Sequence, residues 1–335
     1  MKTLSHSPAD LLRATSRSFY LTLRVLPRAV RPQIGLAYLL ARTSDTIADT
    51  EIVPLEQRLK ALQAFRERML GTSEAPVSFS ELAQQQASSA ERELLERVED
   101  SLTLLENLQP ADLQLVRTVL DTITSGQELD LRRFAGASAE RIVALNTGAD
   151  LDDYTYRVAG CVGEFWTKMC RAHFFPKAKP DDAKLLADGV RFGKGLQLVN
   201  ILRDLPADLR KGRCYLPADG LAAVGLSPGD LLSPASEPKL RLLYHEWLDR
   251  AEAHLAAGWA YTNALPWRRA RVRLACAWPI LIGMKTLGRL RAGNVLDPQR
   301  RIKVSRTEVR RIMLRSVACY PLPGAWKTLP EWAAR

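Results

Sequence analysis

The sequence has few cysteines, and they are poorly placed for cross-linking or metal binding. There are five, an odd number, and they stand far apart without a Cys-x-x-Cys pair. They are Cys161, Cys170, Cys214, Cys276 and Cys319. This pattern argues against a disulfide framework and against a zinc site. We therefore expect a reducing, cytoplasmic environment.

The chain also lacks a long apolar run. Residues 1–10 contain no apolar segment of the kind found in secretory signals. The longest apolar stretch, 274–284, contains Pro279 and is far shorter than the roughly 20 residues that a membrane-spanning helix needs. We expect a soluble protein without a transmembrane helix, or one that is peripheral to a membrane.

Alternating patterns typical of β-strands are absent over strand length. Apolar residues instead recur at helical spacing in most of the chain. The segments are 9–26, 32–49, 55–70, 90–107, 110–134, 139–173, 180–204, 237–263 and 268–291. Proline and glycine cluster between them, most densely at 217–238, and none of these clusters resembles a flexible linker. The pattern predicts an all-α protein with one domain over residues 1–335.

The formal net charge of +11, with a pI near 9.6, predicts an anionic partner. Nucleic acid, an anionic lipid surface and phosphorylated small molecules are the three candidates. Binding to nucleic acid would require a basic stripe with a recognisable reading element, which this sequence does not show. A solvated helix face is one of two equally weighted interpretations of the most basic stretch, 297–315, and a functional surface is the other.

A pair of aspartates ends one of the most apolar predicted helices. Asp45 and Asp49 are four residues apart, so their carboxylates lie on one helix face. Two like charges at this spacing repel each other by a few tenths of a kcal/mol. A cation between the two carboxylates would remove that cost.

A second acidic cluster lies in the segment 197–213. Four polar side chains follow at spacings of three, four and four, and so share one helix face: Gln197, Asn200, Asp204 and Asp208. Basic residues crowd the same segment: Arg203, Arg210, Lys211 and Arg213. Carboxylate and amide oxygens suit Mg²⁺, and arginine donates two hydrogen bonds to phosphate oxygens. The residues thus indicate a Mg²⁺-dependent enzyme that acts on a diphosphate.

Four sequence blocks, taken in order, resemble the squalene/phytoene synthase family from about residue 15 to about residue 315. They are SRSFYLTLRVLP at 16–27, ARTSDTIAD at 41–49, YTYRVAGCVGEFW at 154–166 and NILRDLPADLRKGRCYLP at 200–217. SGQELDL at 125–131 resembles the Gly-x-x-x-Asp block of that family less closely. The resemblance implies an isoprenoid-synthase fold, with helices around a central cavity.

The resemblance also assigns roles to individual residues. It implies that the four motif aspartates bind Mg²⁺: Asp45, Asp49, Asp204 and Asp208. It implies that a further set contacts diphosphate or lies beside it: Ser16, Arg17, Ser18, Arg42, Gln197, Asn200, Arg203 and Arg213. Tyr154 matches a tyrosine that squalene synthases hold near the reacting carbons. The coupling reaction that this resemblance implies releases one proton, and either Tyr154 or the released diphosphate would accept it. The choice stays open because an ordinary tyrosine, with a pKa of about 10, is a weak base at neutral pH.

The activity that the resemblance implies is head-to-head coupling of two farnesyl diphosphates to presqualene diphosphate, followed by NADPH-dependent reduction to squalene. RIKVSR at 301–306 resembles the basic segment of squalene synthases, so Lys303 and Arg306 are the expected contacts for the phosphates of NADPH. The RCYLP sequence at 213–217 is closer to phytoene synthases. A presqualene-diphosphate synthase or a phytoene synthase, which would not reduce the intermediate, remains an alternative.

Two further points stay open from the sequence. Pro206 stands between Asp204 and Asp208, where proline removes a backbone hydrogen bond and can kink or end a helix.

A non-catalytic protein that binds an anionic membrane is the alternative from a different functional class. Peripheral membrane contact is also compatible with an enzyme whose substrate tails partition into lipid.

Overall fold

The computed structural model describes residues 8–16, 23–176, 182–297 and 302–335. Two predicted diphosphate contacts, Arg17 and Ser18, lie outside the described residues, as does the side chain of Ser16. Contacts along the chain divide it into two compact units. The first contains Met1–Arg132 and Lys168–Pro176, and the second contains Arg133–Thr167 and Lys177–Arg335. The single-domain prediction stays a prediction.

The first unit is built from helices. They are α1 (Pro8–Ser16), α2 (Arg31–Asp49), α3 (Leu55–Leu70), α4 (Ser80–Gln84), α5 (Ser89–Glu96), α6 (Val98–Glu106) and α7 (Pro110–Arg133), which ends at the boundary.

The second unit is also helical, with two short strands. Its elements are β1 (Val143–Ala144), α8 (Gly148–Thr155), a π-helical turn (Tyr156–Gly160), α9 (Cys161–Phe174, which ends in the first unit), α10 (Asp182–Leu209), β2 (Arg213–Cys214), α11 (Ala218–Ala223), α12 (Glu237–Ala264), α13 (Ala270–Ala292), α14 (Arg306–Cys319), α15 (Pro323–Lys327) and α16 (Leu329–Ala334). The all-α prediction is confirmed.

Helix α2 forms the centre of the first unit. Pro32 lies in its first turn, where a missing backbone N–H costs nothing. Leu39 of α2 packs with Leu11 of α1 and Leu94 of α5 in a buried cluster. Only one face of the last turn remains accessible, and it carries the first aspartate pair. Burial of the rest of α2 therefore fixes where that pair lies.

Close contact between backbones holds α10 in the second unit. A Cβ atom added to Gly163 of α9 would lie 1.9 Å from the carbonyl oxygen of Gly189 of α10. A Cβ atom added to Gly193 would lie 2.1 Å from the carbonyl oxygen of Ala159, in the π-helical turn. No side chain fits at these positions, so glycine sets the approach of α10 to the segment that follows Tyr154.

The predicted helix over 139–173 begins nine residues late. Thr147 caps α8 by accepting a hydrogen bond from the backbone N–H of Asp150, while the Asp150 carboxylate accepts one from the N–H of Thr147. Before this cap, β1 pairs in parallel with β2 in the register Val143 to Arg213 and Ala144 to Cys214. The long-range backbone pairing overrides the helical pattern of the sequence there.

Helix α10 passes through Pro206 and continues to Leu209. Proline at this position leaves the carbonyl of Leu202 without the N–H that would normally reach it. The buried hydroxyl of Tyr244, on α12, donates to the carbonyl oxygen of Leu202 at 2.9 Å. The helix therefore keeps Asp208 one turn beyond Asp204, because a side chain from α12 replaces the missing backbone donor.

We predict that Tyr244→Phe lowers the free energy of unfolding by about 1–3 kcal/mol, since it leaves a buried carbonyl without a donor. In a Pro206→Ala background the restored backbone N–H can reach the carbonyl of Leu202, so the same tyrosine substitution should cost clearly less. Urea denaturation of the four proteins of this cycle measures the difference. An equal cost of Tyr244→Phe in both backgrounds would show that the hydroxyl does not compensate for the proline.

Candidate functional site

The first aspartate pair lies at the end of α2, in the first unit. Gln127 of α7 donates a short hydrogen bond from its side-chain amide to Asp45 Oδ1. Arg42, one turn before, lies with Nη1 3.9 Å from Asp45 Oδ2 and also binds Glu91 of α5. Asp49 is exposed. The structure therefore places Arg42 and Gln127 beside Asp45.

The electrostatics at Asp45 favour a cation. Burial and, to a smaller extent, the charge of Asp49 together raise the pKa of Asp45 to about 6, although the charge of Arg42 and the Gln127 hydrogen bond oppose the rise. Because 47% of the side chain is exposed, water moderates this rise. A bound cation would lower the pKa of Asp45, since it offsets the repulsion between the two carboxylates.

Gln127 is a residue that the sequence interpretation did not single out. It lies in the SGQELDL block, which was noted only for its resemblance to Gly-x-x-x-Asp. The side-chain N–H of Gln127 donates to one carboxylate oxygen of Asp45. The Oε1 atom of Gln127 is buried and has no hydrogen-bond partner within the described ranges. The signal in the sequence was a glutamine on the side of α7 that also carries Leu120, Ile123 and Leu131.

The second acidic pair lies on α10, in the second unit. The Arg203 guanidinium donates two hydrogen bonds to the Asp204 carboxylate, from Nε to Oδ1 at 2.9 Å and from Nη2 to Oδ2 at 2.5 Å. This pairing and the charge of Asp208 raise the pKa of Arg203, although burial opposes the rise. Asn200 and Gln197 lie one and two turns before Asp204 on the same helix. An arginine able to bind phosphate is thus held beside a motif carboxylate.

The donor set within each unit fits Mg²⁺. Among the residues that the structure describes, no three or more His, Cys, Asp or Glu side chains cluster closely enough to hold a metal by themselves. Mg²⁺ commonly takes only one or two protein carboxylates and completes its six ligands with water and substrate phosphate oxygens. Asp45 with Asp49, and Asp204 with Asp208, each offer such a pair.

The structure brings Tyr154 to the RCYLP segment, which the sequence did not predict. Tyr154, on α8, stacks on Tyr215 with ring centroids 4.8 Å apart, and its hydroxyl donates to the Tyr215 hydroxyl at 3.4 Å. Phe134 covers Tyr215 edge-on at 5.1 Å. Since β2 pairs with β1, Arg213 and Cys214 are anchored directly before Tyr215.

The predicted cofactor contacts lie elsewhere in the second unit. Lys303 and Arg306 are exposed at the start of α14, and the Lys303 carbonyl accepts a hydrogen bond from Arg289. A cavity of about 230 Å³ lies nearby, lined by Lys285, Arg311, Trp332 and neighbouring residues of α13, α14 and α16. No residue of either acidic motif lines it, so we do not place the predicted reaction there.

Comparison with known proteins shows the family of this chain. A sequence model described as squalene/phytoene synthase matches residues 12–308. The chain belongs to the squalene/phytoene synthase family. This confirms the resemblance that the sequence blocks indicated.

Characterised members of the family have different activities. The chain is 30% identical to a presqualene diphosphate synthase of Rhodopseudomonas palustris, over 76% of this chain and 77% of the relative. It is 26% identical to the squalene synthase of Schizosaccharomyces pombe, over 92% of this chain and 64% of that protein. It is 30% identical to a bifunctional lycopene cyclase/phytoene synthase of Gibberella fujikuroi over 73% of this chain, and that match spans only 40% of the fungal protein.

Solved structures of the family share the fold. A ligand complex of TcSQS superposes with a TM-score of 0.76 at 23% identity and covers 98% of this chain and 96% of its own. The squalene synthase HpnC of Alicyclobacillus acidocaldarius superposes with a TM-score of 0.59 at 20% identity, covering 92% of this chain and 93% of its own. The predicted squalene-synthase-like fold is confirmed.

We predict that Gln127→Met, which keeps the shape of the side chain but removes its amide, weakens binding of Mg²⁺ with inorganic diphosphate by about tenfold or more. The reason is that Asp45 loses the donor that orients it. Isothermal titration calorimetry measures the affinity. Gln63→Met is the matched control, because Gln63 also donates to a carboxylate, that of Glu67, but on an exposed surface. Equal affinities for both variants would contradict a positioning role for Gln127.

Proposed function

We propose that this chain couples two molecules of farnesyl diphosphate head to head, forming presqualene diphosphate, and then reduces this intermediate with NADPH to squalene. The observation that carries the proposal is the repeated group of two aspartates and an arginine, Asp45 with Asp49 and Arg42 on α2, and Asp204 with Asp208 and Arg203 on α10. Two such groups suit a reaction in which two diphosphates must be held.

The first half-reaction requires that one diphosphate leaves as an anion. Mg²⁺, when bound by the motif aspartates, supplies positive charge to the leaving diphosphate. Arg42, Arg203 and Arg213 would donate hydrogen bonds to the diphosphate oxygens, an interaction that gains strength as negative charge develops there. Ser16, Arg17 and Ser18 are proposed as further contacts on the resemblance alone.

The new carbon–carbon bond forms when the double bond of the second farnesyl group attacks the allylic cation, and loss of one proton then closes the cyclopropane. Tyr154 or the released diphosphate would take this proton. The Tyr154 hydroxyl donates a hydrogen bond to the Tyr215 hydroxyl. Because a neutral tyrosine can only relay a proton, Tyr154 would pass it on and the released diphosphate would be its final acceptor.

The second half-reaction releases the other diphosphate and takes a hydride. NADPH, when bound, supplies this hydride. Lys303 and Arg306 are exposed cations whose donors fit the phosphates of such a cofactor, and they are the residues we propose to hold it. No other feature of the described residues identifies the cofactor.

The experiment that tests this function is incubation of the purified protein with farnesyl diphosphate and Mg²⁺, with and without NADPH, followed by identification of the product. Squalene that appears only with NADPH supports the full reaction. Presqualene diphosphate in both conditions would limit the chain to the first half, and turnover of geranylgeranyl diphosphate instead would make it a phytoene synthase. Turnover of neither substrate would favour a non-catalytic anion-binding protein.

We predict that Asp45→Asn and Asp204→Asn each lower turnover of farnesyl diphosphate by at least about 100-fold while leaving the helical circular dichroism unchanged, because each removes one charge that the diphosphate complex needs. Asp100→Asn is the control, since the Asp100 carboxylate is 60% exposed and only pairs with Arg97. A double variant that keeps wild-type turnover would overturn the metal-site interpretation.

We predict that Tyr154→Phe lowers turnover by about 100-fold or more if the Tyr154 hydroxyl moves the proton. Tyr215→Phe should have a smaller effect, because it keeps the ring stack and removes only the hydrogen-bond acceptor. Single-turnover measurement of presqualene diphosphate formation separates this step from product release. Near-normal formation by Tyr154→Phe would identify the released diphosphate as the base.

A further inference from the structure

One face of α14 is exposed although it carries large apolar side chains. Arg306, Arg310, Leu314 and Val317 follow at spacings of four, four and three, and therefore lie along one side of the helix. We call this stripe the α14 face. Leu314 is 73% exposed and Val317 is 51% exposed, and Leu322, just after the helix, is 57% exposed. Such grouping of exposed apolar residues is typical of interaction surfaces.

The opposite side of α14 is fixed to the protein. Ile312 and Ser316 are buried, and the indole N–H of Trp278, on α13, donates to the Ser316 hydroxyl at 2.9 Å. Both anchors lie on the side of the helix away from Leu314 and Val317. The α14 face is therefore held in its outward orientation and cannot turn its leucine inward without breaking buried contacts.

An aromatic side chain borders the end of this face. Trp267, in the turn before α13, is 40% exposed and stacks on Tyr320 at 4.3 Å, where Tyr320 directly follows α14. The Tyr320 hydroxyl donates to the Trp267 carbonyl. Tryptophan and tyrosine favour the boundary between water and the acyl region of a membrane.

The C-terminal segment that contains the α14 face is strongly positive. Residues 302–335 contain seven lysines or arginines and only two acids, Glu308 and Glu331. The Glu308 carboxylate is bound by Arg289 at 2.6 Å. The turn next to Trp267 adds three exposed arginines, Arg268, Arg269 and Arg271. On the α14 face itself, the exposed Arg306 and Arg310 lie on the same side of the helix as Leu314 and Val317.

We propose that the α14 face, with Leu322 and Trp267, docks on an anionic lipid surface. Its chemistry matches that of helices that lie in the membrane interface, where apolar side chains enter the acyl boundary and arginines meet lipid phosphates. A second copy of the chain fits less well, because a self-complementary contact would bring the arginines of two copies together. The inference rests on this surface alone and is independent of the catalytic aspartates.

The test is sedimentation of the full chain with phosphatidylcholine vesicles that contain or lack phosphatidylglycerol. We expect binding only to the anionic vesicles. Leu314→Ser with Leu322→Ser should weaken it by about tenfold or more, since the inserted methyl groups are lost. Arg310→Glu should weaken it by about fivefold or more, because one attracted charge is replaced by a repelled one. Arg306 is left intact in these variants, since it is a proposed cofactor contact.

Matched controls separate the α14 face from general effects of hydrophobicity and net charge. Ile52→Ser with Leu242→Ser removes two apolar side chains of similar exposure, 74% and 69%, from other surfaces. Lys60→Glu makes the same change of charge as Arg310→Glu at an exposed position on α3. Both controls should bind vesicles as the wild type does. Unchanged circular dichroism and thermal midpoints confirm that each variant is folded.

Three results would overturn the proposal. The first is absence of wild-type binding to anionic vesicles. The second is equal weakening by the α14 variants and their controls, which would mean that the overall positive charge is responsible. The third is a change of oligomeric state in Leu314→Ser with Leu322→Ser, measured by light scattering, without a change in vesicle binding, which would assign the face to a second copy of the chain.

Discussion

A single hydrogen bond, from Tyr244 to the carbonyl of Leu202, allows α10 to include a proline between the two aspartates of the second acidic motif. Without a donor at that carbonyl, the helix would contain a buried polar group that neither backbone nor water satisfies, at a cost comparable to a lost hydrogen bond. The bond also ties α12 to α10, next to the turn where Arg203 and Asp204 pair. Helix continuity and site geometry in the second unit therefore depend on the same contact.

The first unit reaches a similar arrangement by different means. Burial along α2 orients the helix, and the aspartates come at its accessible end, where Gln127 orients Asp45 and Arg42 links it to α5. Repulsion between Asp45 and Asp49 disfavours this arrangement unless a cation is present. A cation or a substrate that bridges the carboxylates would remove this cost, which is the physical basis for the proposed Mg²⁺-diphosphate site.

Much of this could be predicted from the sequence because it depends on local periodicity. Helices α2 and α3 begin and end within one residue of their predicted bounds, since their apolar stripes are continuous and are flanked by proline or glycine. The aspartate motifs and their neighbouring arginines were also evident from spacing. The start of α8 was predicted wrongly, because pairing of β1 with β2 joins residues about 70 positions apart and leaves no local pattern. Three contacts also join segments that are far apart in the chain: Gln127 with Asp45, Tyr215 with Tyr154 and Tyr244 with Leu202. The sequence therefore identified Asp45 and Tyr154 as site residues, but not the side chains that contact them.

The most direct measurement is a crystal structure of the protein grown with Mn²⁺ and a non-reactive thiodiphosphate analogue of farnesyl diphosphate, with anomalous scattering used to locate the metal. We predict Mn²⁺ peaks within coordination distance of Asp45 or Asp49 and of Asp204 or Asp208, each bridged to analogue phosphate oxygens that Arg42 or Arg203 also contacts. Analogue bound without metal at these carboxylates, or metal held elsewhere in the chain, would contradict the account.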